Sequence, residues 1–357
     1  MNKNLKNWFR PAVLKMKGYT PGEQPKDLRT VKLNTNENPY GPSKSVQEAV
    51  KRLGDFRLRL YPEPTAETLR LALSRHYRWP MEGILVGNGS DEILSMLFRA
   101  SVGSGDLVQY PDLTYSLYPV LGEISEAKTK EIKLDENYEL PFRSFNPSAR
   151  LTLWGYPNPP IGNCFDLKNM AAFCAKAKGL VLIDEAYVDF AEKNCLSLAR
   201  KYPNVLVLRT MSKSFSLAGA RMGYVFGHSE VIGQLLKVKD SYNVNRITQG
   251  LALEALGSQG IREQRSKVQM IKRERQRLAQ AFRELGFIVP PSQANFLLVR
   301  WPLAAHAESL YKNLKRKLIL VRYFPHPRLR QCLRVTVGTP EQNNLLLREL
   351  KGLLTRR

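Results

Sequence analysis

One lysine, two hydroxyls and an arginine stand in the run VLVLRTMSKSFSLAGARMGY, Val205 to Tyr224, at spacings that suit an anionic cofactor carrying an aldehyde. Val205 to Arg209 is short, apolar and rich in β-branched residues, the pattern of a buried strand, and Thr210, Ser212 and Lys213 follow at once. Lys213 is therefore expected at a strand end, where ligands of open α/β sheets collect. A lysine held in a desolvated pocket loses its proton readily enough to attack a carbonyl and form a Schiff base. Arg221, eight residues on, would join the hydroxyls of Thr210 and Ser212 as charge-assisted donors to a phosphate. A lone Ser-x-Lys is more often a surface lysine in a Ser-rich loop, so the reading depends on the rest of the chain.

Two further segments carry matching chemistry. In VGNGSDEIL, Gly87 and Gly89 allow a tight turn and Ser90 is expected to cap the helix that follows, leaving the amides of Ser90, Asp91 and Glu92 to face an anion. In LVLIDEAYVDF, an apolar strand delivers Asp184 at its carboxyl end and Tyr187 three residues later. A buried aspartate opposite a pyridine nitrogen keeps that nitrogen protonated and makes the ring an electron sink, and a tyrosine hydroxyl can donate to a phenolate oxygen on the same ring. Each segment also fits a plainer role, in which the glycines make an ordinary connection, Asp184 and Glu185 cap a turn and Tyr187 packs in the core.

The elements that must position these groups alternate helical periodicity with short apolar runs, which predicts an α/β fold with a mostly parallel central sheet and helices on both faces. Helices are expected at Ser43 to Leu53, Thr65 to Tyr77 and from Ser90 through Phe98. Strands are expected at Ile84 to Gly87, Leu107 to Tyr110, Leu151 to Trp154, Leu180 to Ile183, Val205 to Leu208 and Tyr224 to Gly227. After Gln249 the pattern changes to a long basic helix, a strand at Asn295 to Val299, a helix near Ala307 to Lys317, and strands at Leu318 to Arg322 and Leu333 to Val337. The expected division is an arm over 1–30, a large cofactor-binding domain over 31–250 and a smaller α+β domain over 251–357. Pro11, Pro21 and Pro25 and the lack of periodicity mark the first thirty residues as an arm.

The chain has 357 residues, 43% of them hydrophobic, enough to bury a sizeable core and split into two domains. The composition is that of a globular, soluble protein, no apolar run approaches the roughly 18 residues a bilayer span needs, and charges interrupt the N-terminal segment, so a cytoplasmic location is expected. Cys164, Cys174, Cys195 and Cys332 lie apart without CxxC pairing, which points to reduced thiols and to neither zinc nor disulfides. A net charge of +23 raises the question of nucleic acid. The excess is concentrated in the C-terminal third, for example in IREQRSKVQMIKRERQRLAQAFRELGF, where Ile261, Val268, Ile271, Leu278, Phe282 and Leu285 recur at helical spacing and Glu263, Glu274 and Glu284 interrupt the basic face. No aromatics interleave there as a single-strand platform would require, so a nucleic-acid function is disfavoured.

Taken together, the segments RPAVLKMKGYTPGEQP, LNTNENPYGPS, LYPEP, GNGSDE, YPDLTYSLY, IDEAYVDF, TMSKSFSLAGARMGY, ANFLLVR and LRVTVGTPEQN resemble the fold type I pyridoxal-phosphate aminotransferases, most closely the histidinol-phosphate aminotransferase family, over nearly the whole chain. The resemblance implies pyridoxal 5'-phosphate as cofactor, with Lys213 the Schiff-base lysine, Asp184 the partner of the pyridine nitrogen, Tyr187 a donor to the ring oxygen and Tyr115 stacked on the ring. Ser90, Asp91, Thr210, Ser212 and Arg221 would hold the phosphate. It also implies a homodimer with shared active sites, Tyr61 reaching the cofactor phosphate of the second subunit. Arg322, Arg334, Tyr19 and Asn36 would bind substrate, the two arginines gripping either the phosphate of histidinol phosphate or the carboxylate of glutamate.

At YPNPPIG, Tyr156 to Gly162, the chain departs from the family pattern of Asn before Pro-Thr-Gly: Pro159 occupies the Asn position and Ile161 the Thr position. A shifted loop in which Asn158 supplies the lost donor to the ring oxygen is the expectation, with Tyr187 acting alone as the alternative. The implied reaction is reversible transamination of histidinol phosphate with 2-oxoglutarate in histidine biosynthesis, Lys213 acting as nucleophile and then base. An aromatic amino-acid aminotransferase, a threonine-phosphate decarboxylase, or a non-catalytic nucleic-acid-binding derivative of the fold remain the alternatives.

Overall fold

The computed structural model describes residues 7–54, 56–301 and 307–355, so the first six residues of the expected arm, the last two of the chain and a short stretch before Ala307 lie outside the described residues. Among the described residues twelve strands are numbered in chain order: β1 (Val31–Lys32), β2 (Ile84–Asn88), β3 (Leu107–Pro111), β4 (Lys128–Ile132), β5 (Leu151–Gly155), β6 (Leu180–Asp184), β7 (Val205–Thr210), β8 (Met222–Phe226), β9 (Phe296–Arg300), β10 (Ile319–Leu320), β11 (Arg322–Tyr323) and β12 (Cys332–Thr336).

Seven of these form one sheet in the order β2-β8-β7-β6-β5-β3-β4. Its pairings are parallel except where β8 runs antiparallel to both β2 and β7. The strands read as continuous apolar runs because both faces are covered. Alternation sends Val181, Ile183, Val205 and Val207 into one core and Leu182, Leu206 and Leu208 into the other. A sheet loaded on both faces buries its middle and leaves its strand ends as the place for polar chemistry.

The edge strand β4, KTKEI, was not expected from sequence, since only Ile132 of its five residues is buried and the rest are polar and exposed. Charged side chains of this kind protect a sheet edge from pairing with other chains. Likewise the arm contains a short helix, Pro11–Lys15, started by proline at its first turn.

Toward the C-terminus β11, β12 and β9 form an antiparallel sheet in which Arg322 sits opposite Arg334, and β1 pairs in parallel with β10. Leu33 packs into the same core as Leu278, Phe282, Leu297 and Val335, so the segment just after the arm is tied to the C-terminal elements. The basic region holds two helices, Arg246–Leu256 and Ser258–Glu284, separated by Gly257. The longer one buries Val268, Ile271, Leu278 and Phe282 as its periodicity demands.

Candidate active site

The carboxyl ends of β2, β3, β6 and β7 open into one cavity of about 720 Å³, closed on its far side by the β11–β12 hairpin. Lys213 lies three residues beyond the end of β7, half-buried, its Nζ donating to the Thr35 carbonyl at 3.2 Å and standing 5.7 Å from the centroid of the Tyr187 ring. Asn38 fixes the loop behind it, its amide donating to the backbone carbonyls of Lys213 and Ser214.

Asp184 ends β6 beneath the cavity. Its Oδ2 accepts from the Tyr118 hydroxyl at 3.1 Å and its Oδ1 from the Ala186 backbone N–H at 3.0 Å. Burial pushes this carboxyl up to about 6, against the pull of those two donors, and no cation among the described residues pairs with it. Tyr118, wholly buried, was not recognised from sequence, where an aromatic three residues after Tyr115 reads as core. Tyr187 accepts from the Asn36 amide at 3.0 Å and so keeps its own proton to give. Asn36 has a left-handed backbone, φ 56°, held by bonds with Thr336 through its N–H and side chain and by the Asn295 amide on its carbonyl.

On the other side of the cavity Gly89, not Ser90, occupies the N-cap of the helix Ser90–Ser101. Glycine is required there: φ is 84°, and a Cβ would lie 2.6 Å from Nη2 of Arg221. The helix has no side-chain cap; the Glu92 carboxylate instead accepts from the Asn88 N–H at 2.5 Å and ties the first turn to the end of β2. Ser90 lines the cavity. Arg221 pairs with the Asp91 carboxylate at 3.2 Å, and Tyr115 donates to the other Asp91 oxygen at 3.0 Å. Thr210 spends its only hydroxyl proton on the Met222 carbonyl at 2.8 Å and accepts from the Ser212 N–H. Its role among the expected phosphate donors is therefore indirect: it orients Ser212, whose hydroxyl lies 2.8 Å away.

Arg322 and Arg334 both line the cavity and flank one ring, Phe324, at 5.5 and 5.4 Å. Arg334 donates to the Asn34 carbonyl at 2.8 Å, while its Nε is buried with no partner. Tyr19 packs edge-on against Tyr115 with centroids 6.0 Å apart, bringing the arm to the mouth. Tyr61 stays outside, 76% exposed and stacked on Tyr242 at 4.4 Å.

Asn158 is not brought to the cavity. It is wholly buried, its amide donating to the Leu113 carbonyl at 2.8 Å and its oxygen accepting from Thr114 at 2.9 Å, whereas Pro159 and Pro160 form the wall. The peptide bonds before Pro157 and Pro160 are cis. The expected loop shift does not occur, and Asn158 instead braces the segment that carries Tyr115.

The donor set fits a phosphorylated pyridine. Ser90, Asp91, Ser212 and Arg221, which would hold an anion, line the same cavity as the buried Asp184 carboxyl, and a Cβ at Gly89 would meet the Arg221 guanidinium. Among the described residues no group of His, Cys, Asp and Glu could hold a metal, and no helix is long and apolar enough to cross a membrane.

Residues 29–350 match the family Aminotransferase class I and II, and the chain belongs to that family. Histidinol-phosphate aminotransferase 1 of Nostoc sp. is 42% identical over 355 residues, covering 99% of this chain and all of that protein. Histidinol-phosphate aminotransferase of Synechocystis sp. is 41% identical over 97% of this chain and 99% of its own. The solved histidinol-phosphate aminotransferase of Sinorhizobium meliloti, in complex with pyridoxal-5'-phosphate, superposes with a TM-score of 0.89 at 23% identity over 98% of both chains, which establishes fold type I.

Proposed function

We propose that the protein transfers the amino group of histidinol phosphate to 2-oxoglutarate, giving imidazole acetol phosphate and glutamate, as a pyridoxal-phosphate enzyme of histidine biosynthesis. The observation that carries this is a single cavity lined at once by Lys213, the buried Asp184 carboxyl and the arginine pair Arg322 and Arg334. Full-length identity of 42% to histidinol-phosphate aminotransferase 1 of Nostoc sp. supports it over the aromatic aminotransferase and decarboxylase alternatives.

When bound, the cofactor supplies an aldehyde that captures amines and a ring that accepts the electron pair left by a departing proton. The protein's residues do the rest. Lys213 would hold the cofactor through its Nζ, and that amine, once free, would serve as the base that takes up and returns the substrate's proton. Asp184, oriented by Tyr118 and the Ala186 N–H, would as a carboxylate keep the ring nitrogen protonated. Tyr187, its oxygen already accepting from Asn36, would donate to the ring oxygen without help from Asn158. Ser212, Arg221 and the first-turn amides at Ser90 and Asp91 would hold the phosphate. The unpartnered Nε of Arg334 leaves a donor for a substrate anion, and the same two arginines serve a phosphate in one half-reaction and a carboxylate in the other.

The exposed, ring-stacked Tyr61 fits a homodimer in which this residue completes the phosphate site of a second copy, in the cytoplasm. Residues 1–30 act as the arm, 31–250 as the cofactor domain and 251–357 as the smaller domain that carries the arginines. Purified enzyme should form glutamate from histidinol phosphate and 2-oxoglutarate, and Lys213→Ala should abolish this. Sustained turnover by that variant, or carbon dioxide release from threonine phosphate by the wild type, would contradict the reading.

A further inference from the structure

The loop between β11 and β12, residues 324–331, begins with Phe324, the ring flanked by both Arg322 and Arg334, and lines the cavity with Phe324, Pro325, His326 and Leu329. Four residues after Phe324, Arg328 leaves this loop for the other side of the cavity. One of its guanidinium nitrogens pairs with the Asp112 carboxylate; the other donates to the carbonyls of Leu134 and Asp135 at 2.9 and 3.1 Å. The pair is well shielded, with side chains 25% and 10% exposed. A guanidinium meeting three acceptors in this way is a geometry lysine cannot copy.

Asp112 is a junction on its own side. It follows β3 and its Oδ1 accepts from the backbone N–H groups of Leu113 and Leu134, so it binds the start of the Tyr115 segment to the end of β4. Asn158 braces the same segment through Leu113 and Thr114. Tyr115 is thus fixed from below while Phe324 and its two arginines hang from the loop that Arg328 ties to the same point.

We infer that Arg328 is a positioning residue that sets the distance between the anion-gripping arginines and the Tyr115 wall, and thereby the affinity for anionic substrates. The inference rests on the proposed function for the identity of those substrates, but its physical core is anion binding alone. A displaced Phe324 would let both guanidinia swing, and misplacement of about 1 Å is enough to cost on the order of a hundredfold in a positioned reaction.

The test uses holoenzyme, with inorganic phosphate as a substrate-independent probe measured by calorimetry beside steady-state kinetics. Arg328→Ala should weaken phosphate binding and raise KM for both the phosphorylated amine and the keto acid by on the order of tenfold or more, with kcat altered far less. Arg330→Ala, which removes the same charge from an exposed position in the same loop, should change neither. Asp112→Asn should act in the same direction as Arg328→Ala, and the double variant should lose less than the sum of the two. Arg328→Lys keeps the charge and much of the packing, carries the test if the alanine variant fails to fold, and should still show the KM rise. Equal phosphate affinity and KM in the Arg328 and Arg330 variants, or a loss confined to kcat, would overturn the inference. Should the wild type bind phosphate yet leave histidinol phosphate unreacted, the functional reading falls and the clamp is judged on the phosphate titration alone.

Discussion

Asp184 and Glu185 are neighbours in sequence and opposites in environment. Alternation at the end of β6 turns Asp184 into the cavity and Glu185 away from it, where Nε and Nη2 of Arg209 meet its Oε2 at 2.8 and 2.7 Å and the Cys195 backbone N–H binds the other oxygen. Burial works against the Arg209 charge, but Glu185 and the surrounding groups outweigh it and hold the guanidinium above its ordinary value. The Tyr77 ring lies 4.9 Å from that guanidinium. One carboxylate is complete within the protein; the other is buried with two donors and no countercharge. Burial raises both carboxyls, but Glu185 has a buried guanidinium beside it and Asp184 has none among the described residues, which leaves Asp184 for a cationic ligand atom, in the proposed function the protonated ring nitrogen of the cofactor.

The largest expected break in this contrast is Asp184→Asn. Removing the charge proposed to face the ring nitrogen should lower turnover on the order of 10²–10³-fold, while melting of the cofactor-free protein above pH 6 should be affected far less than turnover. The sign follows from the raised carboxyl: a group lifted to about 6 penalises the cofactor-free fold when ionised, above that pH, and the penalty is relieved as pH falls through it. The same titration governs loading. Wild-type affinity for the cofactor, followed by fluorescence, should decline as pH drops through about 6, and the Asn variant should lose that dependence.

Glu185→Gln probes the opposite case. It leaves Arg209 buried beside a neutral amide and should cost roughly 3 kcal/mol of stability, read as a lower melting temperature, with a smaller effect on kcat than Asp184→Asn. Tyr118→Phe comes next: it strips one of two donors from Asp184, a bond worth about 1.5–3 kcal/mol to a charged acceptor, and should lower kcat roughly tenfold with KM little changed.

How far these roles were legible depends on how local their signals are. Parallel strands announced themselves, because burial on both faces demands unbroken apolar runs such as LVLID and VLVLRT. That Lys213, Asp184, Tyr187 and Arg221 meet in one cavity was legible because each sits at a fixed offset from such a strand. The polar edge strand β4 left no apolar trace, and Ser90 was misjudged as the cap because the left-handed backbone at Gly89, φ 84°, is set by the fold and leaves no mark that separates the two neighbours in sequence. Arg328 could not have been found, since its acceptors lie 193 to 216 residues away among many other arginines. Asn158 was misplaced for a related reason: an amide one residue early in a motif has no sequence signal for the direction it faces.

That correction gives the smallest expected effect. Asn158→Ala should leave the pH at which the lysine-bound cofactor changes colour unmoved, because the amide serves Leu113 and Thr114, not the ring, while stability falls by about 1–3 kcal/mol for the stranded buried partners. A shift in that spectroscopic titration would return Asn158 to the ring.

The most direct measurement is the visible absorption spectrum of the purified holoenzyme before and after histidinol phosphate is added with no keto acid present. If Lys213, Asp184 and the arginine pair work together as described, the yellow band of the lysine-bound cofactor gives way to the near-ultraviolet band of its aminated form, and 2-oxoglutarate restores the yellow. A band that ignores histidinol phosphate but responds to phenylalanine, tyrosine or threonine phosphate would contradict the assigned substrate, and a protein that never develops the band would contradict the cofactor site itself.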